Sequence, residues 1–377
     1  MKVVVAIDSF KGCLSSMEAN RAAAVGVRQA CPTAEVVEVA VSDGGEGFVD
    51  AVRSSQVGEL VEVTACDPLL RPIKARYLLR GSTAVMEVAQ VCGLMLLSPD
   101  ERNPVVATSY GVGQLVADAV RRGATHVVVG LGGSGTCDAG VGMLTALTNA
   151  FTKDGTSPEP DTFTAASDFS ENDLPSTLCS WPDIPTLRPV RFTIATDVTN
   201  PLCGEHGAAR VFAPQKGATK KQVILLEERT QRFAEIAARR MGFDRSQCAG
   251  AGAAGGLGYA FMQFLGAECR PGAELLLDTI GFDAIVSDAD IVITGEGSAD
   301  RQTLMGKLPL HILRHAATMP VCLIAGRVSD ADLLVQAGFA HVQSINPPDL
   351  ALETALRKDV AQRNIAQSVE HMLTRCT

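Results

Sequence analysis

An α/β architecture of two domains is what this 377-residue chain predicts. Three observations carry that reading. Length alone suggests two domains, at roughly 100–200 residues each. Short β-branched apolar runs alternate with stretches of helical periodicity, the pattern of strand–helix–strand units built around a parallel sheet. Aromatic residues make up only 5% of the chain, with one Trp, so Ala, Val, Leu and Gly must pack the core; that suits helices layered on a sheet better than a β-sandwich.

In chain order, strands are predicted at Val3–Ile7, Val36–Val41, Ala84–Val88, Val127–Leu131, Phe192–Thr196, Ile291–Thr294, Val321–Ala325 and His341–Ile345. Most are unbroken apolar runs, as expected of strands covered on both faces. The first helix starts near Ser15, because Ser15-x-x-Glu18 forms a capping box. Ala19, Ala22, Ala23, Gly26, Val27 and Ala30 share one face at i, i+3, i+4 spacing, and Pro32 follows the end. A face of such small residues can sit close to a sheet. A second helix carries Val112, Leu115, Val116, Ala119 and Val120 on one side, with Gly123 suited to the C′ position. Residues 156–189 break the pattern: they are rich in Ser, Thr, Asp and Pro and read as an irregular surface excursion. Because the strand–helix pattern recurs at both ends, residues 1–64 and 286–377 are expected to share one sheet. Residues 65–285 then form an inserted α/β domain.

Composition narrows the function. Lys and Arg number 33 against 42 Asp and Glu, a net charge of -9 with no basic run, which disfavours nucleic acid and anionic membranes as partners. No apolar stretch approaches the ~20 residues that span a bilayer. The N-terminal MKVVVAIDSF is cut short by Asp8 and reads as a first strand rather than a signal peptide. The 11 Cys are scattered with no C-x-x-C pair, the usage of a reduced cytoplasmic protein without a disulfide framework or zinc site. Walker A, protein-kinase, H-E-x-x-H and G-x-S-x-G motifs are absent. His311 and His315 share a helix face at i, i+4, but no third ligand is evident, so a solvated or core-edge role is expected.

Five Gly-rich or polar clusters fall at strand ends or helix starts: Asp8-Ser9-Phe10-Lys11-Gly12, Asp43-Gly44-Gly45-Glu46-Gly47, GLGGSGTCD at 130–138, GAGAAGGLG at 250–258, and Thr294-Gly295-Glu296-Gly297. Ligands of open α/β sheets bind beyond the carboxyl ends of the strands, and glycine lets backbone N–H groups approach a phosphate. Two clusters also match G-x-G-x-x-G, at Gly130/Gly132/Gly135 and Gly250/Gly252/Gly255. The second lacks a preceding strand, and Asp154 sits in a turn rather than at the strand end where a ribose-binding acid belongs. A nicotinamide-dependent oxidoreductase stays open as the alternative.

The acid and base groups are more telling. Asp8, Asp43, Glu46, Asp138, Asp197, Glu296 and Asp300 all stand beside Gly, Ser, Thr or Asn, although a turn carboxylate is often only a cap. Lys11, Arg102, Lys216 and Lys307 are the cations in similar contexts. Phosphoryl transfer to a hydroxyl uses this set: cations and N–H groups on the phosphates, carboxylates for Mg²⁺, and one carboxylate for the hydroxyl proton. The residues alone therefore suggest a nucleotide-using transferase whose acceptor is unnamed.

At these clusters the chain resembles the type-I glycerate kinase family, the ATP-dependent glycerate 2-kinases. The matching stretches are AIDSFKG (6–12), VSDGGEG (41–47), CGL (92–94), RNPVVATSYGVGQL (102–115), GLGGSGTCDAGVGM (130–143), ATDVTNPLCG (195–204), PQKGA (214–218), GAAGGLG (252–258) and ITGEGSADRQTLMGK (293–307), in family order. The resemblance implies a Rossmann-like parallel-sheet domain formed by both chain ends, an inserted α/β domain, and an active site in the cleft. It implies transfer of the ATP γ-phosphoryl group to the 2-hydroxyl of D-glycerate with Mg²⁺; a homodimer is the expected partner state.

Roles follow as expectations. Asp197 is expected to be the base, with Lys11 and Asp8 also catalytic. Arg102, Thr136, Asp138, Thr196, Asn200 and Lys307 are expected on glycerate, whose carboxylate needs a cation in so acidic a protein. Gly44, Gly45, Gly132, Gly133, Ser134, Lys216, Gly255, Gly256 and Gly295 are expected on the nucleotide. Asp43, Glu296 and Asp300 are expected on Mg²⁺ or its waters. Three departures lie close to these positions. Where the family has Ala-Thr-Asn-Asp-Gly-Gly, this chain has Gly135-Thr136-Cys137-Asp138-Ala139-Gly140. Its Arg after Gly-Glu-Gly is Ser298, and Leu308-Pro309-Leu310-His311 replaces the usual residues after Lys307. A non-catalytic ligand-binding relative, or a kinase for another hydroxy acid, would also fit these changes.

Overall fold

Eleven strands among the described residues form two sheets in the computed structural model, which describes residues 1–10, 12–45, 47–151, 186–316 and 318–376. Lys11, Glu46, Asp154 and almost all of 156–189 lie outside the described residues. The strands are β1 Lys2–Ile7, β2 Glu35–Glu38, β3 Glu59–Cys66, β4 Pro72–Arg80, β5 Thr83–Glu87, β6 His126–Gly130, β7 Arg191–Ala195, β8 Glu268–Arg270, β9 Ile291–Ala299, β10 Val321–Val328 and β11 His341–Ser344. The chain divides into two compact units, Met1–Val57 with Pro271–Thr377, and Gly58–Arg270.

In the first unit a fully parallel sheet runs β11-β10-β9-β1-β2, so strands from both chain ends share it. Val3 through Ile7 are wholly buried, which is why this run is continuously apolar. Val3, Val5 and Ile7 pack on Ala19, Ala23 and Val27 of the helix Ser16–Ala30 and on Ile365 and Val369 of the helix Lys358–Cys376. The Ser15 capping box forms as the sequence predicts, with the Ser15 hydroxyl accepting from Glu18 N. The small-residue stripe has a second use. A Cβ on Gly26 would lie 2.2 Å from the Ala366 carbonyl oxygen, so the first and last helices touch backbone to backbone there.

Asn20 ties this layer together. It is fully buried; its Oδ1 accepts from Ile7 N at 2.9 Å and its Nδ2 donates to Val39 O at 2.7 Å. Asn20→Leu would leave both backbone groups unpaired, and each such group costs about 1–3 kcal/mol. The expected outcome is a fall in unfolding free energy of about 2–4 kcal/mol, read as a lower denaturant midpoint; a midpoint equal to wild type would show that the bridge is dispensable.

The second unit holds a mixed sheet in the order β3-β4-β5-β6-β7-β8. β5 through β8 are parallel, whereas β3 and β4 form an antiparallel edge. The strand expectations omitted β3, β4 and β8. β3 and β4 alternate buried with exposed positions because one face meets solvent, so they lack the unbroken apolar run that marks the central strands. β8 has only three residues. The expected second helix spans Tyr110–Arg121, with Gly123 left-handed at φ 93° just beyond it.

Candidate active site

In the Gly58–Arg270 unit the site grows from the end of β6. The following turn is clamped by the CGL stretch: Gly135 N donates to Cys92 O at 2.7 Å and Leu94 N to Gly133 O at 2.9 Å. That places Ser134 and Thr136 over Lys216, which ends the short turn Pro214–Lys216. Lys216 Nζ donates to Ser134 Oγ at 2.9 Å and to the Thr136 carbonyl at 2.8 Å. The next residue, Gly217, is left-handed, and a Cβ on it would lie 2.3 Å from the Arg102 carbonyl oxygen. The PQKG and RNP stretches therefore meet, and Arg102 comes beside Lys216. The Arg102 Nε is buried without a hydrogen-bond partner.

Electrostatics at Lys216 are unusual. The side chain is only 3% exposed, and burial lowers its pKa from the ordinary lysine value. Its two acceptors, Ser134 Oγ and the Thr136 carbonyl, are neutral, and no ion pair to Nζ is seen among the described residues. The neighbouring thiols carry no compensating charge at neutral pH, because burial pushes Cys92 up to about 12 and Cys137 up to about 11. Asp138 stands nearby, but its carboxylate is engaged elsewhere. It accepts from Ser109 N and Ser109 Oγ, both at 2.8 Å, from Gly140 N at 3.1 Å and from Gly142 N at 3.2 Å. Asp138 thus pins the turn to the starts of the helices Tyr110–Arg121 and Val141–Phe151. An ammonium has three donors, so beyond Ser134 Oγ and the Thr136 carbonyl one N–H remains for an anion.

The 250–258 cluster packs against the same turn. Ala254, Gly255 and Gly256 are successively left-handed, at φ 52°, 66° and 93°. A Cβ on Gly255 would lie 2.0 Å from Thr136 O, and one on Gly256 would lie 2.6 Å from Ala139 Cα. Ala139 is itself at φ 53°, in the region where the resembled family's usual Gly is at ease. Gly255 and Gly256 therefore meet the protein's own backbone.

Thr196, Asp197 and Asn200 follow β7. Thr196 N donates to Arg270 O at 3.0 Å, and its Oγ1 accepts from Val198 N at 3.2 Å. Asp197 is exposed. Asn200 Nδ2 donates to His206 O at 2.8 Å, and its carbonyl accepts from Gly252 N at 2.9 Å, so this turn abuts the 250–258 cluster. The structure thus brings Arg102, Ser134, Thr136, Lys216 and Gly255 into one neighbourhood, with Gly132, Gly133 and Asp138 on the same turn.

In the other unit, Asp8 N donates to Gly295 O at 2.9 Å, joining the end of β1 to the middle of β9. A Cβ on Gly295 would lie 2.4 Å from Ile324 O, so this glycine allows close strand packing. Glu296 is buried; its Oε1 accepts from Thr303 Oγ1 at 2.6 Å and its Oε2 from Lys307 Nζ at 2.9 Å. Lys307 also donates to Ser298 O at 3.2 Å. Asp300 caps the turn Arg301–Met305, and its N–H donates to the same Thr303 hydroxyl at 3.1 Å. Asp43 Oδ1 accepts from Gly45 N at 3.1 Å, while Gly44 packs against Gly272. Among the described residues no group of three or more His, Cys, Asp or Glu is arranged to hold a metal ion. His311 meets the Gly306 carbonyl and His315 meets Asp283. No helix among the described residues is long and apolar enough to cross a membrane.

Two engaged residues escaped the sequence reading. Ser109, buried at the start of its helix, holds Asp138. Glu227 lies on the buried face of the helix Lys220–Met241 beside Leu226 and Thr230. An acid inside an apolar stripe was the available signal for it.

Comparison with known proteins settles the family. The profile of the glycerate kinase family matches residues 3–377. The chain belongs to the glycerate kinase family. A glycerate kinase of Bacillus subtilis (strain 168) is 37% identical, covering 98% of each chain, and the glycerate 2-kinase of Escherichia coli (strain K12) is 36% identical with the same coverage. A crystal structure from Salmonella typhimurium LT2, provisionally named glycerate kinase 2, aligns with TM-score 0.76 at 35% identity, covering 100% of this chain and 98% of that one. Membership of the glycerate kinase family makes the chain an enzyme of the phosphotransferase class with an α/β fold. The turn Gly130–Gly135 accords with this: the next helix begins only at Val141, so no helix N-terminus adjoins the glycines as a dinucleotide fingerprint requires.

Proposed function

We propose that the protein transfers the γ-phosphoryl group of ATP to the 2-hydroxyl of D-glycerate, giving 2-phospho-D-glycerate and ADP. The observation that carries the reading is Lys216, a buried lysine whose two hydrogen-bond acceptors are neutral and whose ammonium form an anionic ligand would favour. Substrate carboxylate and transferring phosphoryl are both anions, and preorganised cations in a water-poor site stabilise developing phosphoryl charge. Arg102 is assigned to the glycerate carboxylate, with Thr136, Thr196 and Asn200 orienting the hydroxy acid. Asp197 is assigned to the 2-hydroxyl proton. Lys216 and Lys307 are assigned to phosphoryl charge, and Asp8 is kept as a further catalytic candidate.

Mg²⁺ in such sites keeps several waters and is commonly bound through one or two carboxylates plus substrate phosphates. For a metal of that kind, bound also through substrate phosphates and waters, Asp43 and Asp300 are proposed; Glu296 already receives Thr303 and Lys307. The ion would supply charge neutralisation on the triphosphate.

Phosphorus NMR of the products from ATP and D-glycerate tests the reading. The expected result is the 2-phosphate resonance, growing with ADP. Exclusive formation of the 3-phosphate would overturn the regiochemistry, and absence of both products would overturn the substrate.

A further inference from the structure

The turn that follows β7 carries Asp197 and Asn200 and continues through Gly207 into the helix Ala208–Phe212. Beneath it lies a carboxylate that the reaction scheme does not use. Glu227 is 2% exposed, and its Oε1 accepts from Gly204 N at 2.6 Å. The same oxygen receives Gln231 Nε2 at 3.2 Å and lies 3.9 Å from Arg210 Nε. Gly204 is left-handed at φ 99° and a Cβ there would meet open space, so the turn is set by backbone conformation and this bond rather than by side-chain packing at that residue. Glu227 Oε2 is buried with no hydrogen-bond partner. A carboxylate held in so apolar a place costs stability unless its bonds return it. An apolar side chain there would strip the Gly204 N–H of its acceptor, whereas an amide would keep one.

We propose that Glu227 is a positioning residue for phosphoryl transfer, fixing the 197–207 turn through the Gly204 N–H so that Asp197 and Asn200 hold the acceptor hydroxyl in line. The other end of the turn is already secured, by Asn200 Nδ2 to His206 O and by Gly252 N to Asn200 O. Leu202 N donates to Ser246 O at 2.8 Å, and Ala208 N to Leu202 O at 2.9 Å. Glu227 supplies the side-chain anchor from beneath, at the middle of the turn. Misplacement by about 1 Å from a residue outside the chemistry can cost on the order of 100-fold in rate. The inference rests on the assignment of Asp197 as the base.

Steady-state kinetics of Glu227→Leu, Glu227→Gln, Asp197→Asn and the double variant Asp197→Asn/Glu227→Leu test it, each normalised to the folded fraction from its thermal transition. Glu227→Leu should lower kcat on the order of 10–100-fold while the KM for ATP moves less than about threefold. Glu227→Gln retains an acceptor for Gly204 N and should recover most of the lost kcat. In the Asp197→Asn background, Glu227→Leu should cost little more, because Glu227 acts by placing the Asp197 carboxylate and that carboxylate is already gone. An equal fold loss from Glu227→Leu in both backgrounds, or a kcat unchanged by Glu227→Leu, overturns the proposal. A near-normal Asp197→Asn enzyme instead removes the base assignment, and the Leu-against-Gln contrast in kcat then decides the role of Glu227 alone.

Discussion

Lys216→Met is expected to lower kcat/KM by on the order of 100–1,000-fold, the range seen when one preorganised donor to a developing charge is removed. The fold should tolerate the change. Met fills similar volume, and removing an ammonium whose two acceptors are neutral relieves a desolvation cost, against the loss of one donor each to Ser134 Oγ and Thr136 O. Activity and stability should therefore separate: a large kinetic loss with a melting temperature within a few degrees of wild type. The pH profile has a definite sign. The anion-binding form is the ammonium, and burial lowers its pKa, so activity is present below that pKa and is lost as pH rises through it, earlier than for an exposed lysine. Lys216→Met should abolish that basic limb in the residual rate. A variant that loses stability and activity in parallel would make Lys216 a structural tie instead.

Asp197→Asn is expected to reduce kcat on the order of 100–10,000-fold with little change in the KM for ATP, because general-base contributions fall in that range. Asn is close in size and keeps one acceptor oxygen, so the turn should hold while proton acceptance is lost. Pre-steady-state measurement of ADP release under saturating D-glycerate checks it. A rate within threefold of wild type would take the base role away from Asp197 and direct attention to Asp8 or Asp43.

Much of the fold could be read from the chain because buried parallel strands announce themselves. All eight expected strands exist, each within a few residues of its expected bounds. The edge strands β3 and β4 were less legible, since an alternating strand such as Glu59–Cys66 resembles any half-exposed segment until its partner is known. The site divides similarly. Lys216, Arg102 and the Gly130–Asp138 turn were visible as motifs, but their meeting depends on Gly217 lying against Arg102 and Gly255 against Thr136, pairings that local sequence does not encode. Motif residues can also be claimed by the fold itself. Asp138 and Gly255 stand in signature stretches, yet one gathers backbone N–H groups and the other admits a close crossing of chains. Glu227 was hidden for the converse reason, as an acid within a helix face that reads as core.

The placement of β1 has a consequence for biosynthesis. It is hydrogen-bonded to β2 on one side and to β9 on the other. While the ribosome is still making residues 58–270, one long edge of that strand has no native neighbour. The hydrophobic cover offered by Ile365 and Val369 arrives later still. β1 is thus among the last strands to find its full native company, whereas Gly58–Arg270 can reach its own sheet beforehand.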